Sequence, residues 1–255
     1  MKRVTRISVS PVKGFRLSHP DEIRLGPEGV EENRRFFLVD SDGQRLRSSQ
    51  TQWPTRIRVD YLADSELLRM HFPDGTEVEA SALVRGERIH STSGTIEVTG
   101  RIVEGPWNAA LERLAGTPVR LARADRVGAG MNAPVTLVSH GSLARLAQEA
   151  GRDDVDARRF RMLFELDGCS PHEEDTWDGL VFEIGSAAVR VGGPVDRCAV
   201  TTRDPETGER DLDTLRLLKE YRGQREGDGA VLFGVYAIVE RPGVVRVGDA
   251  FAHVA

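Results

Sequence analysis

Apolar residues alternate with polar ones over short stretches through most of the chain, the period-two pattern of strands that bury one face. The alternation runs through Ile57, Val59 and Tyr61, through Leu68, Met70 and Phe72, through Ile96 and Val98, through Val189 and Val191, and through Val245 and Val247. Asp42-Gly43 and Asp74-Gly75 fall between such runs and supply the residue pairs that tight hairpin turns favour. Three stretches break the period and predict helices. Trp107–Ala115 carries Leu111 and Leu114, and Ser142–Ala150 carries Leu143, Leu146 and Ala147 before a stop at Gly151. Asp211–Tyr221 spaces Leu212, Leu215 and Leu218 three apart and meets Gly223. The pattern predicts a strand-dominated α+β chain. Near residues 121–131, Arg123-Ala-Asp-Arg-Val-Gly-Ala-Gly130 interrupts the periodicity after the first helix and marks a domain boundary. No internal repeat or low-complexity tract is found, which removes solenoids, propellers and disordered arms.

Composition narrows the function classes. Of 255 residues, 39% are hydrophobic and 29% charged, with 35 basic against 40 acidic side chains and a net charge of -5. No apolar run approaches the roughly 18 to 20 residues that a bilayer demands, so no membrane insertion is expected. The acidic balance argues against a dedicated nucleic-acid binder, and the N-terminus lacks the apolar stretch of a secretory signal, which makes the cytoplasm the expected location. Lysine is scarce: Lys2, Lys13 and Lys219 stand among 32 arginines.

The familiar chemical signatures are missing. Gly128-Ala129-Gly130 lacks the third glycine of a dinucleotide fingerprint, and there is neither a phosphate-binding G-x-x-x-x-G-K nor a G-x-S-x-G elbow. The six histidines are dispersed without metal-ligand spacing, and Cys169 and Cys198 lack a C-x-x-C arrangement. What remains is Gly193-Pro-Val-Asp-Arg-Cys-Ala-Val-Thr-Thr-Arg-Asp-Pro-Glu-Thr-Gly208. A thiol follows a predicted strand, an arginine precedes it, and two hydroxyls and a stiff turn come after. Such a thiol serves as a soft metal ligand, as a nucleophile, or as a small buried hydrophobe, and the residues alone leave all three open.

This segment resembles the cysteine loop of the MOSC domain family, in particular the branch that contains the mitochondrial amidoxime reducing component and its bacterial relatives. Further matches stand in order: Leu137-Val-Ser-His-Gly-Ser-Leu-Ala-Arg-Leu146, Arg159-Phe-Arg161, Gly168-Cys169, Glu174-Asp-Thr-Trp177, Ile184-Gly185, Phe233-Gly-Val-Tyr236 and Pro242-Gly-Val-Val-Arg-Val-Gly-Asp249. Ser10-Pro-Val-Lys13-Gly14 and Arg35-Phe36-Phe37-Leu38-Val39 resemble N-terminal elements of the same branch. The resemblance implies an N-terminal β-barrel-like domain over 1–122 and a MOSC-type β-barrel with a few helices over 123–255.

It also implies roles. Cys198 matches the cysteine that binds molybdenum and is the expected metal ligand and catalytic residue, a soft thiolate beside the dithiolene sulfurs of the molybdenum cofactor (Mo-molybdopterin). Lys13, Arg35 and Arg161 match basic residues that meet the cofactor phosphate. Gly14, Ser139, His140, Asp196, Arg197, Thr201 and Tyr236 are expected to complete the cofactor site, although Ser139 equally suits a helix cap and Thr201 a turn. The chain departs from the family pattern at Arg34, where the family has Asp, at Gly14, where it has Ser, and at Leu163, where it has an amide. Cys169 is expected to be structural.

The implied function is a molybdenum-cofactor-dependent reductase of N-oxygenated (N-hydroxylated) small molecules, taking electrons from an external donor, a reductase or small redox protein, because no iron–sulfur, flavin or haem motif is present. Two alternatives stand beside it: a sulfur carrier with a persulfide on Cys198, and a cofactor-binding module without turnover.

Overall fold

The computed structural model describes residues 1–47, 51–83, 86–93 and 96–254. In chain order its strands are β1 (Arg3–Ile7), β2 (Glu22–Leu25), β3 (Phe36–Val39), β4 (Arg58–Leu62), β5 (Leu67–His71), β6 (Glu77–Ser81), β7 (Arg88–Ser93) and β8 (Ile96–Ile102). They continue with β9 (Arg120–Ala124), β10 (Val135–Ser139), β11 (Phe164–Asp167), β12 (Val181–Ile184), β13 (Ala187–Arg197), β14 (Val231–Arg241), β15 (Gly243–Arg246) and β16 (Phe251–His253). The α-helices are α1 (Trp107–Ala115), α2 (His140–Ala150) and α3 (Thr214–Arg222). None of the helices is long and apolar enough to cross a membrane.

Seven strands form one sheet in the order β1-β11-β10-β14-β13-β12-β16. Its two edges meet. Arg3 bridges Ala250, Val4 N–H donates to the Asp249 carbonyl at 2.9 Å, and Phe251 N–H donates to the Lys2 carbonyl at 2.9 Å. The sheet is thereby drawn into a nearly closed barrel, which leaves little free edge. Leu137, Leu163, Phe164, Leu166, Phe182 and Phe251 fill its interior, with Phe182 stacked on Phe251 at 4.3 Å.

A second body is built from the sheet β3-β9-β8-β7 and the three-stranded sheet β4-β5-β6. Phe36, Tyr61, Leu68, Met70, Trp107 and Leu111 share its core, and Phe36 meets Tyr61 edge to face at 5.0 Å. The expected division at 122/123 separates the sequence but not the sheets. β1 pairs with β11 and β2 with β15, so two strands from the first 25 residues belong to the sheets of the second half.

Most of the alternating apolar positions point inward: Ile57, Val59, Tyr61, Leu68, Met70, Phe72, Val189 and Val191 are all buried. Val98 is buried too, while the side chain of Ile96 lies outside the described residues. Val247 is 41% exposed, because β15 ends at Arg246 and the alternation runs past the strand. Both expected turns form: Asp40 Oδ1 accepts the Asp42 and Gln44 N–H groups, and Asp74 Oδ1 accepts the Thr76 N–H. Helix α1 has its expected bounds. α2 starts two residues early, at His140, because Ser139 Oγ caps it by accepting the Ser142 N–H. α3 starts three residues late because Asp213 caps it through the Arg216 N–H.

Leu163, one of the departures from the family pattern, lies wholly inside the barrel core, and its N–H donates to Thr136 Oγ1 at 2.9 Å. Replacing it by the family amide buries a polar group among hydrocarbons. Leu163→Asn is therefore expected to lower stability by about 2–4 kcal/mol in denaturant titration. A neutral outcome would show that the site tolerates an amide and that its partners lie within reach.

Candidate functional site

The end of β13 is bent before it reaches its most chemical residues. Its pairing with β14 slips between Val191 and Pro194 and again between Pro194 and Asp196, and such irregularities re-aim the side chains that follow. Asp196 and Arg197 end the strand, and Cys198 leads into a short 3₁₀ turn over Ala199–Thr202. The Cys198 thiol is exposed. It faces a cavity of about 480 Å³, a size suited to a drug-sized or cofactor-sized ligand.

The opposite wall comes from the N-terminal half. Residues 10–13 run alongside 34–36: Arg34 N–H donates to the Ser10 carbonyl, Phe36 N–H to Pro11, and Lys13 N–H to Phe36. This pairing sets Lys13 beside Arg34. The loop 125–134, which overlaps the stretch 121–131 expected as a domain boundary, supplies a third wall through Gly130, Met131 and Asn132.

Four cations converge here, and none forms an ion pair among the described residues. Lys13 Nζ donates to the carbonyls of Ala129 at 3.1 Å and Gly130 at 2.7 Å. Arg34 reaches the Arg161 carbonyl at 2.9 Å and Met131 Sδ at 3.1 Å. Arg161 donates to the Phe15 carbonyl at 2.6 Å. Arg197 donates to the Phe233 carbonyl at 2.8 Å, the Phe160 carbonyl at 3.1 Å and Met162 Sδ at 2.7 Å, and lies over the Phe160 ring at 5.3 Å. Carbonyl dipoles hold these charges in place without neutralising them.

The consequence shows in their acidities. Burial, reinforced by Arg45 and Arg34, holds the Lys13 amine down to about 7. Burial also lowers Arg161 to about 9, with Arg34 adding to it, and lowers Arg34 and Arg197 to about 10. A desolvated positive cluster with no carboxylate partner is an anion site.

The remaining expected residues divide. Gly14, Asp196, Thr201 and Tyr236 line the cavity. Tyr236 accepts a hydrogen bond from Asn132 at 3.2 Å, and burial raises its hydroxyl above the ordinary tyrosine value. Asp196 is exposed and ion-paired with Arg225 at 2.9 Å. Thr201 is buried, and its hydroxyl is used by the Cys198 carbonyl and by Thr214, which is the turn role.

Three expected residues lie elsewhere. Arg35 is turned away from the cavity and pairs with Glu31 at 3.3 Å, because its neighbour Arg34 takes the left-handed conformation (φ 52°) and occupies the inward position. Ser139 is fully buried and donates to Glu174 at 2.8 Å while capping α2. His140 lies in a separate hollow with His19 and Glu165, its ring near Thr5 Oγ1 at 3.1 Å. Cys169 packs against the barrel core, and burial pushes its thiol up to about 12, in keeping with a structural role. Sequence reasoning missed Arg45, Arg47 and Asn132 as lining residues and treated Arg34 only as a departure. No sequence signal marks Arg34, since its backbone pairing with the segment that carries Lys13 is seen only in the structure.

Residues 124–252 match the MOSC domain. The chain belongs to the MOSC domain family. Over 96% of its length it is 31% identical to mitochondrial amidoxime-reducing component 1 of Xenopus laevis, covering 80% of that protein. The same component of Danio rerio is 26% identical over 96% of this chain and 83% of the fish protein. Human mitochondrial amidoxime-reducing component 1 is 34% identical over 131 residues, which span 49% of this chain and 38% of the human protein. A crystal structure of the YUAD protein from Bacillus subtilis aligns over 98% of this chain with 12% identity and a TM-score of 0.44. Within this MOSC chain Cys198, Arg197 and Arg161 come from the matched segment, whereas Lys13 and Arg34 precede it.

The Lys13 amine gives the ligand-free protein a signature. Held at about 7 in the fold against an ordinary 10.5, it binds a proton less readily folded than unfolded. Folded stability therefore rises with pH between those two values. Wild type is expected to gain on Lys13→Met as pH climbs from about 7 toward 10, in thermal unfolding followed across pH. Parallel curves would show that the amine keeps its ordinary acidity.

Proposed function

We propose that this MOSC chain is a molybdenum-cofactor-dependent reductase of N-oxygenated small molecules, with Cys198 as the thiolate ligand of the metal. The observation that carries this reading is the pairing of an exposed thiol with four desolvated cations that have no carboxylate partner. The donor set fits the cofactor. Lys13, Arg34 and Arg161 offer charge-assisted hydrogen bonds to a phosphate, and Arg197 offsets the negative charge of a thiolate one residue away. No group of three or more His, Cys, Asp or Glu side chains gathers as a metal site among the described residues, and Cys198 would be the donor through which the chain holds the metal of the cofactor.

When bound, the cofactor supplies two electrons to the N–O bond. The overall change is R–NH–OH + 2e⁻ + 2H⁺ → R–NH₂ + H₂O, with the electrons delivered by a separate redox partner. The chain's share is binding and orientation. Residues 1–122 contribute Lys13 and Arg34, residues 123–255 contribute Arg161, Arg197 and Cys198, and the ligand is gripped between them. The Tyr236 hydroxyl, raised by burial, keeps its proton through neutral pH and remains a donor in the cavity. The names of the similar proteins, amidoxime-reducing components, support the choice of substrate class.

Protein made in a cofactor-competent host is expected to carry about one molybdenum per chain and to reduce benzamidoxime with reduced viologen. Cys198→Ser keeps the size but supplies a harder, less acidic donor, so it should abolish most of that activity while pterin stays bound. Lys13→Ala and Arg161→Ala should lower pterin content, each contact being worth about 1.5–3 kcal/mol. Cys169→Ser should leave turnover intact. A Cys198→Ser protein that retains its activity would remove the ligand assignment. A transferable extra sulfur on Cys198 in metal-free wild type would favour the sulfur carrier instead.

A further inference from the structure

Two arginines at the mouth of the cavity are left over once the deep cations are assigned. The backbone of Arg45 is fixed by a bridge to Val39 and by its N–H, which donates to Ser91 Oγ at 2.8 Å. Its side chain runs against Gly130, where an added Cβ would stand 1.8 Å from Arg45 Nη1 and 2.8 Å from Lys13 Nζ. Arg45 Nη1 is buried and has no hydrogen-bond partner. Arg47 lines the same cavity two residues on, and its exposed charge adds to burial in lowering the Arg45 guanidinium.

Negative charge on the chain does not balance these groups. Among the described lining residues Asp196 is the sole carboxylate, and it is engaged by Arg225. Arg159, the other lining arginine, is matched by Asp211 at 2.6 Å. A phosphate monoester brings a charge of about −1.5 to −2, and the Cys198 thiolate one more. Lys13, Arg34, Arg161 and Arg197 absorb that. Arg45 and Arg47 then keep the entrance positive, and a low-dielectric cleft focuses such a field outward.

We infer that the cavity selects N-oxygenated substrates bearing an anionic group, a carboxylate or a phosphate-type oxyanion, which Arg45 and Arg47 engage at the mouth. The inference rests on the reductase reading for the N–O group and adds the charge of the rest of the molecule. The Arg45 guanidinium, which has no carboxylate partner among the described residues, and the exposed Arg47 offer the fork geometry that suits two oxygens of either oxyanion. Cationic substrates meet like charge at Arg45 and Arg47 and are disfavoured.

The test uses the cofactor-loaded protein without reductant, so that binding is read apart from turnover. Benzamidoxime, 4-carboxybenzamidoxime, 4-phosphonobenzamidoxime and 4-(aminomethyl)benzamidoxime are titrated by calorimetry. The two anionic compounds are expected to bind at least about ten-fold tighter than the neutral one, and the cationic one weakest. That ratio should shrink in Arg45→Gln, in Arg47→Gln, and in wild type as salt is raised. Arg47 is exposed, so its variant tests the idea even if Arg45→Gln disturbs the fold. Equal or weaker binding of both anions overturns the inference, as does a preference that survives both substitutions. Charge-selective binding with no reduction after reductant is added keeps the inference and removes the reductase reading.

Discussion

Four cations held by carbonyls rather than carboxylates are the condition on which the cavity depends. A buried ion pair would have satisfied the charges internally and left a closed, inert cluster. Here each side chain is oriented by backbone oxygen and keeps its charge directed at the open space. The same contacts tie the two halves together, since Arg34 donates to the Arg161 carbonyl and Arg161 donates back to the Phe15 carbonyl. Attraction for an anion and attachment of one half to the other are therefore properties of one set of groups.

The thiol is placed by a different device. Cys198 leaves a strand whose ladder has already slipped three times against β14, and its carbonyl is occupied by Thr201 while the residue stays exposed. Arg197 is pinned on the inner side of the same turn by the Phe160 and Phe233 carbonyls. A mobile arginine at this point would serve as a counter-ion only part of the time. Fixed as it is, it leaves a soft donor and a permanent positive charge adjacent to each other without collapsing into contact with a carboxylate.

Period-two alternation was enough to read the strand-dominated class, both hairpin turns and the burial of nearly every flagged apolar residue. The barrel is legible only through the resemblance to a family, because Arg3 and Ala250 are far apart in the chain and nothing local announces their bridge. Cys198, Lys13 and Arg161 became readable through the resemblance to a family. Arg35 is expected in the site because it stands at the family's basic position, whereas the left-handed backbone that sets Arg34 inward has no signature in the sequence. Ser139 and His140 lie off the cavity because they end β10 and open α2: Ser139 caps the helix and His140 lies in the hollow with His19 and Glu165. Arg45 carries no local signal at all, since its role depends on a glycine 85 positions later that leaves room for it.

The seam between the first and last strands also sets an order of events during synthesis. β1 takes β11 as its partner, and the barrel closes when residues 248–251 reach Lys2, Arg3 and Val4. Lys13 follows soon after β1, and Tyr236 belongs to β14, the last long strand. A nascent chain therefore holds one edge of β1 unpaired until residues 248–251 have emerged, and pairing across such separations is slow. The cavity that Lys13 and Tyr236 line is therefore completed late, once residues 248–251 have docked on Lys2, Arg3 and Val4.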